Sequence, residues 1–240
     1  MSDLGEQALG KLAEVGLASQ LHDVDKLDVA VHTNPLQLLG GGVETVDIRG
    51  AGLVMQKDLR VTEMTIHTDS IHINPLKAAM GKIELTHPTD ATAHVVLTED
   101  DITRAFNSEF IRGKLQGLAL EVQGQPMTVD TQQVVFQLPG ADRMGLIATI
   151  YLRETQETKQ VAFTARLETT AYQIRLTDLA YTQGQDLSPE LTQALLTKAN
   201  ELGDLRNFEL EGMALRLQDL DVIKGQLTLT TQIHAEQFPT

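Results

Sequence analysis

Hydrophobic and polar residues alternate along most of the chain from Lys26 onward. Side chains of a β-strand point alternately to the two faces of a sheet, so this pattern predicts strands with one buried face. Successive runs are joined by short turns, which favours antiparallel pairing over parallel crossover units. The clearest runs place apolar residues at Val29 and Val31, at Ala91, Ala93, Val95 and Leu97, at Leu146, Ala148, Ile150 and Leu152, at Val161, Phe163, Ala165 and Leu167, and at Leu227, Leu229 and Ile233.

The alternation changes its phase once, between residues 59 and 73. Leu59 and Val61 share one parity, whereas Met64 and Ile66 have the other. A β-bulge or a sharp bend brings both sets to one face, and curved sheets contain such bulges. We therefore expect an irregular strand in this stretch.

Two segments show the period of an amphipathic helix, and both contain residues that are typical of helix ends. In residues 97–116, Thr98 is suited to the N-cap and Asp101 to its reciprocal position, which predicts one helix. In residues 187–204, Ser188 and Pro189 mark the start of a helix and Gly203 marks its end. The first 21 residues predict a weaker amphipathic helix, either docked on the domain or lying on a membrane surface.

A ten-residue pattern, H-x-N-P-L-x-x-x-x-G, occurs at residues 32–41 and again at residues 72–81. Asn suits an N-cap, Pro the first helical position and Gly the C-cap, so each copy predicts one or two turns of helix at the rim of a sheet. The order of strands and helices indicates an α+β fold. We expect a single domain over residues 1–240, with two pseudo-repeated halves, about 1–116 and 117–240, as the alternative.

Composition and motifs exclude several functions. The net charge of −14, the absence of Trp and the 4% aromatic content oppose nucleic-acid binding. There is no Cys, no G-x-S-x-G elbow and no H-E-x-x-H pair, so neither a catalytic site nor a metal site is indicated. We expect a protein that is not an enzyme and needs no cofactor.

No stretch of the sequence approaches the roughly 18 apolar residues that span a bilayer. The N-terminus carries Asp3 and Glu6 and does not resemble a secretory signal. These observations predict a cytoplasmic protein with peripheral membrane contact at most. The aliphatic strand faces and the two helix stripes then either fill a core or leave a groove for an apolar ligand, and the pattern alone leaves both open.

Residues 43–108 resemble the LmeA-like phospholipid-binding family. The resemblance rests on the segment GLVMQKDL, the turn S-I-x-I-N-P-L and the helix entry PTDATAHVVLTEDDITRA. It implies a long curved antiparallel sheet wrapped around one or two helices, as in tubular lipid-binding domains, and an elongated apolar groove. It also implies non-catalytic binding of a phospholipid or similar amphiphile; transfer of that lipid is the further step. The alternative is an adaptor of the same fold with a filled core, acting through protein partners.

Parity and helical stripes select the residues expected to line such a groove. They are Val95, Leu97, Ile102, Phe106, Phe110, Phe163, Leu191, Leu195 and Leu229. Three basic residues in residues 97–116 are the candidates for contact with a headgroup or a membrane, because this segment is locally basic in an acidic chain. They are Arg104, Arg112 and Lys114.

Overall fold

Antiparallel strands make up most of the fold in a computed structural model that describes residues 2–55, 59–74, 77, 84–183, 188–204 and 212–237. The helices within these residues are α1 (Ser2–Ala18), α2 (Pro35–Leu39), α3 (Glu99–Asn107), α4 (Glu109–Lys114) and α5 (Pro189–Leu202). The strands are β1 (Lys26–His32), β2 (Gly42–Val43), β3 (Thr45–Met55), β4 (Leu59–Thr68), β5 (Ile71–His72), β6 (Thr89–Thr98), β7 (Leu118–Val122), β8 (Gln125–Gly140), β9 (Arg143–Leu152), β10 (Glu157–Thr170), β11 (Gln173–Gln183), β12 (Met213–Ile223) and β13 (Gln226–Ala235).

Two large sheets and one small one contain these strands. The six-stranded sheet has the order β1-β3-β4-β6-β13-β12, and the five-stranded sheet has the order β11-β10-β9-β8-β7. The five-stranded sheet is curled. Helix α5 packs against both of its edge strands, β7 and β11, and this is possible when the two edges approach each other. The predicted α+β fold, with a curved antiparallel sheet around helices, is confirmed.

The predicted caps of the helices are present. Thr98 Oγ1 accepts from the Asp101 backbone N–H at 3.2 Å, and Asp101 Oδ2 accepts from the Thr98 N–H at 2.9 Å, which completes the capping box of α3. Ser188 caps α5 by accepting from the Leu191 N–H at 3.2 Å, with Pro189 following it. Both helices therefore begin where the sequence predicts.

The single helix predicted over residues 97–116 is wrong, because the chain forms two helices there. Ser108 has extended backbone angles, with φ −63° and ψ 152°, and separates α3 from α4. Its Oγ accepts from the Ile111 N–H at 3.4 Å, so Ser108 is the N-cap of α4. The Ser108 hydroxyl stabilises the break between the two helices, because it accepts a hydrogen bond from an N–H group at the start of α4.

The irregularity expected within residues 59–73 is not a bulge in β4. That strand pairs with β3 in one register from Val46↔Thr68 to Met55↔Leu59, and the chain leaves the sheet at Asp69 before forming β5. The local distortion lies in β3, where Gly52 has φ +60° and a Cβ atom would overlap the Asp25 carboxylate.

The first copy of the repeated pattern forms the expected short helix, α2. Asn34 Oδ1 accepts from the Gln37 N–H at 2.9 Å, and Gly40 ends the helix. The second copy lies largely outside the described residues, although Asn74 Oδ1 accepts from the Lys77 N–H at 3.2 Å. Strand β2 directly follows the first copy, and β5 ends at the first residue of the second copy. The two strands pair through Gly42↔His72 and so bring the two copies side by side.

Helix α3 completes an edge of β8 that β7 leaves unpaired. Side chains on successive turns of the helix accept from alternate backbone N–H groups of the strand. Four helical residues rise about 6 Å, close to the rise of about 7 Å for two strand residues, so the two ladders stay in step. The pairs are Glu99 Oε1 with Leu138 N at 2.5 Å, Thr103 Oγ1 with Phe136 N at 2.9 Å, and Asn107 Oδ1 with Val134 N at 3.1 Å.

Two groups of buried apolar side chains result. One lies under α1 and includes Val29, Val31 and Ile71. The other lies between the two large sheets, α3 and α5, and includes residues of β6 through β13. The second group contains the candidate site.

Candidate functional site

An apolar cavity of about 430 Å³ lies within the second group of buried residues. The curled five-stranded sheet forms most of its wall. Helices α3 and α5 and the ends of β6, β12 and β13 form the rest of the wall, which leaves the cavity partly open to solvent. Such a volume falls within the range of about 300–1,000 Å³ that is usual for small-molecule sites.

Almost all side chains on the cavity wall are hydrocarbon. Among the described residues that line it, Thr131, Tyr181, Thr192 and Lys198 carry polar groups, and Lys198 alone is charged. The apolar lining consists of Leu97, Ile102, Phe106, Leu115, Leu118, Val134, Phe136, Leu138, Met144, Leu146, Ala148, Ile150, Val161, Phe163, Leu167, Ile174, Leu176, Leu179, Leu195, Leu196, Ala199, Leu220, Leu227 and Leu229.

Strand register places these side chains in rows across the curled sheet. One row, from β8 to β11, consists of Phe136, Leu146, Phe163 and Tyr181, each paired with the next. Its rings are in contact at one end, where the Phe163 and Tyr181 centroids are 6.3 Å apart. Residues that oppose one another across antiparallel strands share a face, so the alternation in the sequence becomes a continuous apolar wall.

A bulge in β11 brings residues of both parities onto that wall. Ile174 and Leu176 line the cavity with even numbers, whereas Leu179 and Tyr181 line it with odd numbers. The pairing of β10 with β11 shifts in register between Arg166 and Thr164, opposite this change of parity. Asp178 has a left-handed φ of 47° there. The extra residue of a bulge moves the following side chains to the opposite face, and here it keeps them on the cavity side.

Arg143 of β9 binds the bulge residue Asp178 of β11 from across the intervening strand, β10. Its Nη1 donates to Asp178 Oδ2 at 2.5 Å and its Nη2 donates to the Asp178 carbonyl oxygen at 2.8 Å. The Arg143 guanidinium lowers the pKa of the Asp178 carboxyl through its hydrogen bond and its charge. Both contacts favour the unusual backbone conformation that aligns Leu179 and Tyr181.

Helix α5 crosses the open side of the curled sheet. Leu195 and Ala199 contribute to the cavity wall, and the carboxyl end of the helix is fixed to β11. Asn200 Oδ1 accepts from the Leu176 N–H at 2.8 Å, and the Gly203 carbonyl accepts from the Ile174 N–H at 3.0 Å. The helix therefore serves as a fixed cover over the described part of the cavity.

Helix α3 covers another side, where Ile102 and Phe106 meet the cavity. The Phe106 ring packs on Phe136 of β8 with centroids 4.5 Å apart. This contact adds to the backbone ladder between the helix and the strand. It positions two aromatic rings on the same part of the wall.

Asp101 anchors α3 to the six-stranded sheet, although its side chain is 2% exposed. Arg60 Nη1 donates to its Oδ1 at 2.7 Å, and the Thr62 hydroxyl donates to its Oδ2. Burial alone raises the pKa of this carboxyl, but the hydrogen bonds from Thr62, from the Thr98 backbone and from Arg60 outweigh burial and lower the pKa. The carboxylate is therefore ionised and fully engaged in holding the helix.

Two polar residues of the wall are partly exposed at different places: Tyr181 lies on β11, whereas Lys198 of α5 also borders a second groove between α5 and β7. Tyr181 is 38% exposed, and the Lys198 side chain is 32% exposed. Lys198 follows Leu191, Ala194 and Leu195 on the inward stripe of α5, so its stem lies along the cavity. Its Nζ donates to Glu201 Oε2 at 2.8 Å on the next turn.

Six of the nine residues selected from the sequence lie on the cavity wall. They are Leu97, Ile102, Phe106, Phe163, Leu195 and Leu229. The other three do not line it: Leu191 is buried in the adjoining core, Val95 is half-buried in β6, and Phe110 is half-buried in α4. The contact of any of them with a lipid remains a proposal.

The three basic residues selected from the sequence lie outside the cavity. Arg104 is exposed on α3, and Arg112 and Lys114 are exposed on α4. The Lys114 Nζ lies 4.8 Å from the centroid of the Phe110 ring. Helices α3 and α4 are separate, so these three side chains belong to two elements rather than to one helix.

Several parts of the wall were not predicted from the sequence, and three of them carry a signal that could have identified them. One is the inward row of β8, with Val134, Phe136 and Leu138, whose alternation was detectable in the printed sequence. Another is Leu179 and Tyr181, whose signal is the change of parity after Leu176. The charged residue Lys198 was visible as an interruption of an apolar helical stripe.

Other site types have no counterpart in the described part of the chain. No group of three or more His, Cys, Asp or Glu residues there is arranged to hold a metal ion. No helix among the same residues has the length and hydropathy to cross a membrane. The cavity is therefore the feature on which a functional assignment rests.

Comparison with known proteins gives one match. Searches of curated proteins and of solved structures match nothing. The family model described as LmeA-like phospholipid-binding matches residues 1–232 of the 240. This match extends the resemblance of residues 43–108 to nearly the whole sequence, including every described residue that lines the cavity. The chain belongs to the LmeA-like phospholipid-binding family.

Proposed function

We propose that the cavity holds the acyl part of a phospholipid or similar amphiphile, and that the protein transfers this lipid between membranes without catalysing a reaction. The observation that carries the proposal is the partly open cavity of about 430 Å³ with its nearly continuous hydrocarbon wall. The family to which the chain belongs supports lipid as the ligand. The polar groups on the wall are too few to position a polar substrate in its interior.

The wall of the cavity favours an apolar ligand over water. Almost all of its side chains are hydrocarbon, so water inside the cavity has few groups to bind. An acyl chain in the cavity removes apolar surface from water, and such burial contributes about 25 cal/mol per Å².

Transfer is favoured because the cavity and a bilayer offer similar surroundings to an acyl chain. Burial from water contributes about 0.8 kcal/mol per methylene in either place. The two contributions nearly cancel when a chain moves from one to the other. Exchange therefore needs no chemical step, and loading and release follow the supply of lipid.

A cavity-filling substitution tests this proposal. In Ala199→Phe, the ring occupies space on the cavity wall, so we expect a loss of at least tenfold in binding of a fluorescent phospholipid and in its transfer between vesicles. The matched control is Ala8→Phe, which adds the same ring to the exposed surface of α1. Equal binding by both variants and the unmodified protein would contradict the proposal and favour the adaptor alternative with protein partners.

Peripheral membrane contact through α3 and α4 is a separate part of the proposal. Arg104, Arg112 and Lys114 are exposed, and each basic side chain near an anionic surface contributes about 1 kcal/mol. Replacement of all three by Gln is expected to reduce association with vesicles containing anionic lipid. Unchanged association and transfer would remove these residues from the proposal. Contact with the cytoplasmic face of a membrane belongs to the same proposal and is tested by cell fractionation.

A further inference from the structure

We propose that the two copies of the repeated pattern form a rim that contacts the surface of a phospholipid bilayer, and that Leu36 and Leu39 enter its apolar boundary. The rim consists of residues 33–43, which contain α2, and residues 71–83. None of its described residues lines the cavity. The inference therefore goes beyond lipid binding in the cavity, and it concerns a different surface from the contact proposed for α3 and α4.

Leu36 and Leu39 are the most exposed large apolar side chains among the described residues. Their exposed fractions are 83% and 80%. They lie three positions apart, so both project from one side of α2. Leu38 lies on another side of the helix and packs against the buried group under α1. One leucine therefore anchors the helix, and two leucines are presented to the surroundings.

Hydrogen bonds fix the base of the rim. The Thr33 hydroxyl donates to the Gly42 carbonyl at 3.0 Å, and the Ile73 N–H donates to the Gly41 carbonyl at 2.8 Å. Helix α2 is capped at both of its ends. Backbone groups that are already paired within the chain enter an apolar boundary at low cost. The rim therefore presents its leucines without unpaired polar groups at these positions.

The charge pattern of the rim complements a bilayer surface. Residues 33–43 contain no charged side chain, and residues 71–83 contain Lys77 and Lys82 but no acid. The chain as a whole has a net charge of −14. Anionic headgroups attract basic side chains and repel acidic ones, and the acyl boundary beneath them excludes charge. An uncharged leucine pair beside two lysines fits both layers.

The acids that adjoin the rim are engaged by partners at its base. Glu6 Oε1 accepts from the Thr33 N–H at 3.0 Å, and Glu44 Oε1 accepts from the side-chain amide of the α2 N-cap at 3.2 Å. Glu84 is paired with Lys77 of the second copy. These contacts hold Glu6 and Glu44 before the start of α2, so the side of the helix with the exposed leucines is left to the bilayer.

Helix α1 carries a second exposed apolar pair and supplies a matched control. Leu12 and Val15 are 71% and 70% exposed. Glu14 lies between them in the sequence, and the helix has Glu6 and Asp3 in its first half. The apolar exposure of this pair is similar to that of the rim, but its acidic setting opposes an anionic surface.

Co-sedimentation with vesicles of phosphatidylcholine and phosphatidylglycerol tests the contact. The double variant Leu36→Ser/Leu39→Ser is expected to associate about tenfold more weakly, because two apolar side chains no longer leave water. The control Leu12→Ser/Val15→Ser should associate like the unmodified protein. Both pairs are exposed, so both variants should keep the thermal unfolding of the unmodified protein. Unchanged association of the α2 variant, or an equal loss in the α1 control, would overturn the proposal.

Tryptophan fluorescence measures insertion directly, because the chain has no Trp of its own. Leu36→Trp places one fluorophore on the exposed side of α2, and Leu12→Trp places one on α1 as the control. With the same vesicles, we expect a blue shift and quenching by lipids brominated near the headgroup end of the acyl chain for Leu36→Trp alone. This corresponds to a depth of about 5–10 Å. Emission typical of water-exposed Trp in vesicle-bound Leu36→Trp would refute insertion.

Two further readouts separate this inference from its rivals and from the proposed function. Self-association of the unmodified protein without vesicles, abolished in Leu36→Ser/Leu39→Ser, would assign the rim to a second copy and overturn the bilayer contact. Binding of a fluorescent phospholipid in the cavity should be equal in this variant and in the unmodified protein. Loss of cavity binding in both proteins contradicts the proposed function, whereas retained vesicle association in the variant contradicts only the inference.

Discussion

Individual residues in this protein join elements that are distant in the sequence. Asp101 is the clearest case, because one buried carboxylate caps α3 and also binds Arg60 and Thr62 of β4. Arg143 acts in the same way when it binds Asp178 and sets the bulge in β11. A few charged side chains thereby determine which apolar residues face the cavity.

The Asp101 carboxylate makes stability depend on acid pH. Its pKa is lowered in the folded protein from the ordinary value of 3.8, so its contribution is complete above that value and is lost as pH falls through the folded-state pKa. We expect Asp101→Asn to reduce the free energy of unfolding at pH 7 by about 2 kcal/mol. The difference from the unmodified protein should shrink below about pH 4, as measured by urea unfolding. A difference that stays constant from pH 7 to pH 3 would contradict this role.

Helices α3 and α5 are the elements that make a cavity from the curled sheet. Polar side chains of each helix accept hydrogen bonds from backbone N–H groups at a strand edge. Each helix is therefore fixed by hydrogen bonds as well as by apolar contact. Glu99, Thr103 and Asn107 act on β8, and Asn200 acts on β11. The cavity therefore has rigid borders on these two sides.

The ladder between α3 and β8 predicts the effect of Thr103→Val. This change keeps the shape of the side chain but leaves the Phe136 N–H without its acceptor, so we expect a loss of about 1–3 kcal/mol in the free energy of unfolding. Thr197→Val is the control, because that hydroxyl donates only to the Gln193 carbonyl in its own helix. Similar small effects for both variants in chemical denaturation would count against the ladder.

The junction of α5 with β11 predicts the effect of Gly203→Ala. A Cβ atom there would lie 2.2 Å from the Ile174 carbonyl oxygen, so the helix end must shift from the strand. We expect a loss of about 1–3 kcal/mol in stability together with weaker lipid binding. Gly16→Ala in α1, where a Cβ would meet nothing within 4 Å, should be neutral or stabilising. If Gly203→Ala behaved like Gly16→Ala in thermal unfolding, the close approach would be refuted.

At the scale of the whole molecule, strands from both ends of the chain form the six-stranded sheet. Strands β12 and β13, from the end of the chain, complete the sheet that begins with β1, and β13 pairs with β6 along its entire length. The division into halves at about residue 116 remains a proposal. The pairing favours one cooperative unit over two lobes.

Truncation tests that view. A fragment of residues 1–116 leaves one edge of β6 without β13, and unpaired edges promote association. We expect the fragment to aggregate or to lack a cooperative unfolding transition. A monomeric fragment with a cooperative transition by circular dichroism would instead support two independent halves.

Prediction from sequence succeeded where a local rule decides the structure. Single-faced strands such as β9 and β10 reveal their inward residues, and Thr98 and Ser188 reveal their helix starts. Prediction failed at Asp178, where a bulge is bound by the distant residue Arg143. It also failed at Ser108, where a helix cap divides the predicted helix in two. The hollow interior was not predictable from periodicity, because a cavity is a small difference between the space that curved sheets enclose and the volume that side chains fill.

The central claim is that the cavity is occupied by lipid, and identification of bound lipid tests it most directly. The protein is purified without detergent and examined by native mass spectrometry, with a mock purification and Ala199→Phe as controls. The account predicts an acyl lipid at up to one molecule per chain on the unmodified protein and little on the variant. An unmodified protein that stays free of lipid, even after incubation with membrane lipids, would contradict it.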